Sequence, residues 1–140
     1  MTVSDLHELI KNMKPELVHG RFFIASVGQH QLMVLANYLD YIEAVFREKE
    51  GMTLVFSEGL GDVVKPLSDY PISGPFALIM LTVNSDLFAV GFLAKITTAL
   101  AAKGISMNAY SAYHHDHLLV PFERKEETME ILAALSKSSK

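Results

Sequence analysis

The residues with the clearest chemical potential lie where an apolar run gives way to a helical pattern. Residues 76–83 have the composition of a strand, residues 84–86 (Asn-Ser-Asp) form a polar turn, and residues 87–103 show apolar side chains at helical spacing. The N-terminus of a helix leaves backbone N–H groups without partners and carries a partial positive charge. The sequence therefore predicts that an anionic group is held at this turn, which favours binding of a small molecule over catalysis.

A second polar cluster follows in the chain, at His114, His115, Asp116 and His117. Imidazoles and a carboxylate are ligands that zinc and similar divalent ions accept. In an extended strand alternate side chains share a face, so His115 and His117 are the weak candidates for metal ligands. The polarity of the segment favours a solvated hairpin turn instead, and neither a metal nor another cofactor is expected.

Catalysis is not expected from these residue types. Ser111, the histidines and Asp86 supply the components of a hydrolase triad, but the sequence contains neither a nucleophile elbow nor a phosphate-binding glycine loop. The chain has no cysteine, which excludes thiolate catalysis, disulfides and cysteine zinc sites. A non-enzyme is predicted, and a hydrolase is the remaining catalytic alternative.

Composition and charge narrow the class of protein. Of 140 residues, 50% are hydrophobic and 20% are charged, which is typical of a folded globular chain. The net charge is −4, and no run of Lys or Arg offers a basic patch, so nucleic acid is not an expected partner. No apolar run approaches the roughly 18 residues of a membrane span, and the N-terminal residues do not resemble a signal peptide. We therefore expect a cytoplasmic protein without a membrane partner.

Hairpins and helices must position the polar residues. Alternation of apolar and polar side chains predicts one β-hairpin over residues 41–57 and a second over residues 105–122. The state of residues 29–40 stays open. Further helical patterns occupy the N-terminal residues up to Lys14, residues 59–67 and residues 124–137.

The chain divides into two halves of similar pattern. Each half carries a strand, a hairpin with a charged turn and a helical segment further on, which indicates an imperfect tandem duplication. Residues 68–75 contain two prolines and a glycine and form a connection. The sequence therefore predicts two domains, at residues 1–72 and 73–140.

Four segments resemble a known family. Residues 81–92 (LTVNSDLFAVGF), 100–106 (LAAKGIS) and 111–120 (SAYHHDHLLV) resemble an ACT domain, and residues 44–54 (AVFREKEGMTL) resemble the N-terminal module of a poorly characterised bacterial family with two ACT domains in tandem. Eukaryotic arginine-sensing tandem-ACT proteins are more distantly similar. The resemblance implies an α+β fold of two ferredoxin-like βαββαβ modules with antiparallel sheets.

The resemblance also implies a binding site. In ACT modules the ligand lies at an interface between two modules, against the loop after the first strand and the facing second strand. The matching positions here are Asn84, Ser85, Asp86, Leu87, Val90 and Gly91, with Asn108 and Ser111 as strand partners.

An α-amino acid suits these positions. Backbone N–H groups of residues 87–90 would take its carboxylate, Asp86 or an exposed carbonyl its ammonium, and Gly91 would allow close approach. The alternative is a simple helix cap followed by a glycine that serves packing alone.

The function implied by the resemblance is sensing of a small molecule, in particular an amino acid, by a homodimer that acts on an unknown protein target. Two features depart from the family: no catalytic domain is attached, and no strand follows the last helix. The sheet must then be completed by exchange between the halves or between subunits. Two alternatives remain, a protein-interaction scaffold without a ligand and a metal-binding protein that uses residues 114–117.

Overall fold

A computed structural model describes residues 5–138, which form five α-helices and seven β-strands. Within that range, no helix is both long enough and apolar enough to cross a bilayer. The helices are α1 Leu6–Lys11, α2 Leu32–Leu35, α3 Gly61–Val64, α4 Phe92–Ala101 and α5 Lys125–Ser138. The strands are β1 Pro15–Leu17, β2 Phe22–Val27, β3 Ile42–Glu48, β4 Gly51–Ser57, β5 Ser73–Leu81, β6 Asn108–Ser111 and β7 Asp116–Pro121.

The chain forms two compact units. The first unit comprises the chain up to His19 and from Ala77 onward, and the second comprises Gly20–Phe76. Each unit combines helices with an antiparallel sheet, which confirms the predicted α+β, ferredoxin-like class. The predicted division into domains 1–72 and 73–140 stays a prediction.

The sheet of the first unit has the strand order β6-β7-β5-β1. Strand β1 runs antiparallel to the end of β5, with Pro15 opposite Leu81 and Leu17 opposite Ile79. A strand from the beginning of the chain thus supplies the fourth strand of this sheet. The sheet is completed within the chain, so an incomplete sheet no longer argues for a second subunit.

The core of the first unit is built from apolar side chains of β5, β7, α1, α4 and α5. On β5 the alternate residues Ala77, Ile79 and Leu81 share one buried face. Leu78, on the opposite face, is only 3% exposed within a single chain. Within a single chain, one face of β5 is therefore buried at these three residues, and the other face is buried at Leu78 and half-buried at Met80.

Helix α4 begins later than the sequence predicts. The predicted helix spans residues 87–103, whereas α4 spans Phe92–Ala101 and is preceded by Gly91 in the left-handed conformation, at φ 92°. Asp86 accounts for the delay, because its Oδ1 accepts a hydrogen bond from the amide of Phe88 and its carbonyl accepts one from the amide of Ala89. These bonds fold the preceding residues into a turn and leave them outside the helix.

The second unit repeats the strand order of the first, as β3-β4-β2 followed by the beginning of β5. The predicted hairpin is present as β3 and β4, with Glu48 opposite Gly51 across the turn. Residues 29–40, left open by the sequence, consist of α2 flanked by 3-10 turns at Gln29–Gln31 and Ala36–Tyr41. The buried core contains Ala25, Val27, Leu35, Met52, Leu54, Phe56, Leu60 and Val64.

Candidate functional site

A cavity of about 160 Å³ lies at the beginning of α4 in the first unit. Three segments border it: the loop from β5 to α4, the first turn of α4, and the hairpin of β6 and β7. The lining residues are Ser85, Asp86, Leu87, Ala89, Gly91, Phe92, Leu93, Ala94, Ser111 and Asp116.

Asp116 contributes a buried carboxylate to this cavity, with only 6% of the residue exposed. Its Oδ2 accepts a hydrogen bond of 3.2 Å from Ser85 Oγ, and its Oδ1 accepts one of 2.5 Å from Ser111 Oγ. The hairpin places Ser111 directly opposite Asp116, and Ser85 reaches the carboxylate from the loop. Because a carboxylate offers about four acceptor positions, Asp116 retains the capacity to accept hydrogen bonds from a ligand.

The first turn of α4 contributes donors to the same cavity. Gly91 precedes the helix and has no side chain to cap it, and the first amide bonded back to the cap is that of Lys95, at 3.0 Å from the Gly91 carbonyl oxygen. The amides of Phe92, Leu93 and Ala94 have no hydrogen-bond partner within residues 5–138. These N–H groups and the helix dipole make this wall of the cavity partially positive.

The donors predicted from the sequence are displaced along the chain. The prediction assigned them to residues 87–90, but the amides of Phe88 and Ala89 are already bonded to Asp86, at 2.9 and 3.0 Å. These two amides are therefore not available to a ligand, and the other two residues of the range, Leu87 and Val90, also precede the helix, which starts at Phe92. Within the first turn of α4, the free amides are those of Phe92, Leu93 and Ala94.

The structure brings five of the eight predicted site residues to one cavity. They are Ser85, Asp86, Leu87, Gly91 and Ser111. The other three, Asn84, Val90 and Asn108, do not line it, and Val90 is 84% exposed. Contact of any of the eight with a ligand stays a prediction.

Five lining residues were not predicted, namely Ala89, Phe92, Leu93, Ala94 and Asp116. Asp116 is the charged one among them, and it was missed because the neighbouring histidines suggested a solvated turn. A signal was present in the strand alternation. Asp116 shares a face of β7 with Leu118 and Val120, both of which are fully buried. A carboxylate on the core face of a strand must be paired or serve a ligand.

The histidines do not assemble a metal site. His115 and His117 are half-buried, and the Nδ1 atom of each is buried without a hydrogen-bond partner. Burial lowers the pKa of His117 below its usual value; the charge of Asp116 acts in the opposite direction, and His115 adds to the lowering. In the part of the chain that the structure describes, no three His, Cys, Asp or Glu side chains come together to hold a metal ion. The metal interpretation thus finds no support in the geometry.

Comparison with known proteins gives consistent matches over both halves of the chain. One ACT-domain family matches residues 75–134, and a second ACT-domain family matches residues 2–62. A protein of unknown function from Vibrio cholerae, described as a possible transport protein, is 35% identical; the alignment covers 94% of this chain and 95% of that one, with a TM-score of 0.74.

More distant structures share the fold alone. The regulatory subunit of aspartate kinase from Thermus flavus superposes with a TM-score of 0.67 at 11% identity, over 86% of this chain and 95% of that one. A protein from Agrobacterium tumefaciens superposes with a TM-score of 0.65 at 17% identity, over 87% of each chain. No curated protein matches the sequence.

Proposed function

Because the chain belongs to the ACT-domain family and carries two ACT domains in tandem, we propose that it is a regulatory sensor that binds an amino acid. ACT domains are ligand-binding regulatory modules, which sets the general class of function. The amino acid as ligand, the site and the mode of signalling are the parts that this proposal adds. Catalysis is not part of it.

One observation carries the choice of ligand: a buried carboxylate and a set of free helix amides border the same cavity. An α-amino acid presents an ammonium and a carboxylate on neighbouring atoms. The amides of Phe92, Leu93 and Ala94 would receive the carboxylate, and Asp116 would receive the ammonium. A neutral or purely anionic ligand would leave the Asp116 carboxylate without a positively charged partner.

The predicted residues take supporting roles in this arrangement. Ser85 and Ser111 hold the Asp116 carboxylate through their hydroxyl groups, which fixes its orientation. Asp86 and Leu87 form part of the wall, and Gly91 lets the chain turn into α4 with a positive φ. Asn84, Val90 and Asn108 are not needed for the ligand contacts proposed here.

We further propose that a second copy of the chain covers this site and that ligand binding shifts the population of two packings. The loop beside the cavity supports a covering partner, because Leu87, Phe88 and Val90 are 60%, 91% and 84% exposed. The output is passed to a protein target that is still unidentified.

A thermal-shift screen against the common amino acids tests the proposal. A ligand present at 100 times its dissociation constant should stabilise the fold by about 2.7 kcal/mol, which raises the melting temperature measurably. At least one amino acid is expected to do so. No shift with any of them would contradict amino-acid sensing and favour the interaction scaffold.

A further inference from the structure

The side chains around the cavity carry negative charge only. Asp86 and Asp116 are the charged residues among its lining, and no Lys, Arg or His side chain within residues 5–138 lines it. The positive potential comes from the amides at the beginning of α4. A helix N-terminus corresponds to about half an elementary charge, and that effect falls off within the first turn.

The cavity therefore offers one place for a carboxylate. If the amides receive the α-carboxylate of an amino acid, a second carboxylate on the side chain has no cationic partner. It would also lie close to Asp86 or Asp116, and like charges at short distance oppose binding strongly. An acidic side chain should be rejected for this reason.

The volume sets a second limit. At about 160 Å³, the cavity is close in size to an engineered protein cavity of about 150 Å³ that binds benzene. After the ammonium, the carboxylate and the α-carbon are placed, the cavity encloses only a small side chain, and a larger one would extend past the open side, where Leu87 is 60% exposed. Leu87, Phe92 and Leu93 are the bulky residues that limit it.

We propose that the ligand is an amino acid with a small, uncharged side chain, such as alanine or serine. The proposal rests on the proposed function and narrows it: the charge of the cavity disfavours aspartate and glutamate, and its volume disfavours aromatic and long aliphatic side chains, which it could not enclose. Ser85 and Ser111 keep their lone pairs after donating to Asp116, so the polar wall can accept a hydrogen bond from a ligand hydroxyl.

Calorimetric titration of the full chain with serine, asparagine, aspartate and phenylalanine tests this specificity. Asparagine and aspartate have nearly the same shape, so their comparison isolates the charge. Serine is expected to bind most tightly, aspartate at least about tenfold more weakly than asparagine, and phenylalanine at least about tenfold more weakly than serine. Aspartate binding as tightly as asparagine, or phenylalanine more tightly than serine, would overturn the inference while leaving amino-acid sensing intact. If neither serine nor alanine binds while another amino acid does in the thermal-shift screen, the inference is overturned and the proposed function stands; if no common amino acid binds, the proposed function is removed as well.

Two variants separate charge from size. Asp86→Asn keeps the acceptor for the Phe88 amide and removes one charge. The dissociation constants of aspartate and asparagine should therefore differ less in this variant than in the wild type. Leu87→Ala should enlarge the cavity at a residue that is 60% exposed, so larger neutral side chains should gain affinity without loss of the fold. Leu39→Ala makes the same change at a leucine of the second unit that is 65% exposed and outside the lining, so it is the matched control and should keep the wild-type selectivity. If Asp86→Asn leaves the difference in affinity between aspartate and asparagine unchanged, the argument from charge is contradicted. If Leu87→Ala keeps the wild-type preference for small side chains, the argument from volume is contradicted.

Discussion

The two units have the same strand order, yet the connection from the first strand to the first helix differs between them. In the first unit this connection borders a cavity with a buried carboxylate and free amides. In the second unit it runs from Gly28 through a 3-10 turn into α2, a helix of only four residues. The His30 ring folds over Gly28, so that a Cβ placed there would lie 2.8 Å from His30 Cε1.

Two amides of the connection in the second unit are already bonded to nearby backbone carbonyls. Gln31 donates to the Gly28 carbonyl at 3.0 Å, and the Leu32 amide donates to the carbonyls of Gln29 and His30. A four-residue helix adds little dipole to attract an anion. The comparison teaches that the ACT fold supplies the location, whereas a few local residues decide whether the location can hold a ligand.

Among the variants that test this difference between the two units, Asp116→Asn is expected to have the largest effect, a loss of ligand affinity. The variant accepts from one serine hydroxyl through its remaining oxygen and can donate to the other serine through its NH₂ group, but it loses the charge that pairs with the ligand ammonium. The ligand affinity should therefore fall by about 100-fold. Titration calorimetry of both proteins gives the dissociation constants. Asp40→Asn, at an exposed carboxylate of the second unit, is the control and should bind as the wild type does. An unchanged dissociation constant in Asp116→Asn would remove this carboxylate from the site.

A smaller effect compares the glycines of the two connections. Gly91 has φ 92°, so Gly91→Ala should lower the free energy of unfolding by about 1–2 kcal/mol, because a side chain is disfavoured in the left-handed region. Gly28 has φ −64°, and its close neighbour is the exposed ring of His30, which can rotate away. Gly28→Ala should therefore lower the free energy of unfolding by less than Gly91→Ala does. Urea denaturation measures both, and equal losses would show that the backbone at Gly91 is not special.

The smallest and most gradual effect is the dependence of stability on pH. Burial lowers the pKa of His117 in the folded state, with Asp116 opposing this and His115 adding to it, and the ring packs 4.7 Å from that of Tyr110. Below a pH of about 6.5, the unfolded chain takes up the proton more readily than the folded one. The free energy of unfolding should therefore decrease as the pH falls from about 6.5 toward the lowered pKa, and it should be regained above that range.

His117→Gln provides the measurement for this effect. Denaturation midpoints of the wild type and the variant are compared between neutral and mildly acidic pH. The variant should lose stability less steeply on acidification, since one group that takes up a proton on unfolding has been removed. Identical slopes would mean that His117 does not contribute.

Local sequence patterns predicted the parts of the fold that depend on neighbours in the chain. The hairpin of β3 and β4 follows from alternation and a turn before Gly51, and α5 follows from its helical periodicity. The pairing of β1 with β5 was not predictable in register, because it joins three residues to a strand more than sixty positions away. Short strands carry too little pattern to specify such a partner.

The candidate site was predicted in part for a similar reason. The polar turn marks the correct connection, and five predicted residues reach the cavity. Leu87 and Val90 fit the apolar spacing of a helix, but both are exposed. They lie outside α4 because Asp86 accepts a hydrogen bond from the Phe88 amide and holds this segment in a turn. Asp116 comes close only because the hairpin folds against the loop, a contact between residues 31 positions apart that no local pattern encodes.

The central claim is that free amides at the beginning of α4 hold the carboxylate of an amino acid. Amide chemical shifts of the ¹⁵N-labelled protein, followed during titration with serine and alanine, test it most directly. The account predicts the largest changes at Phe92, Leu93 and Ala94, and little change at the equivalent Gln29–Gln31 turn of the second unit. Saturable changes centred on the second unit, or binding that leaves the three α4 amides unshifted, would contradict the account.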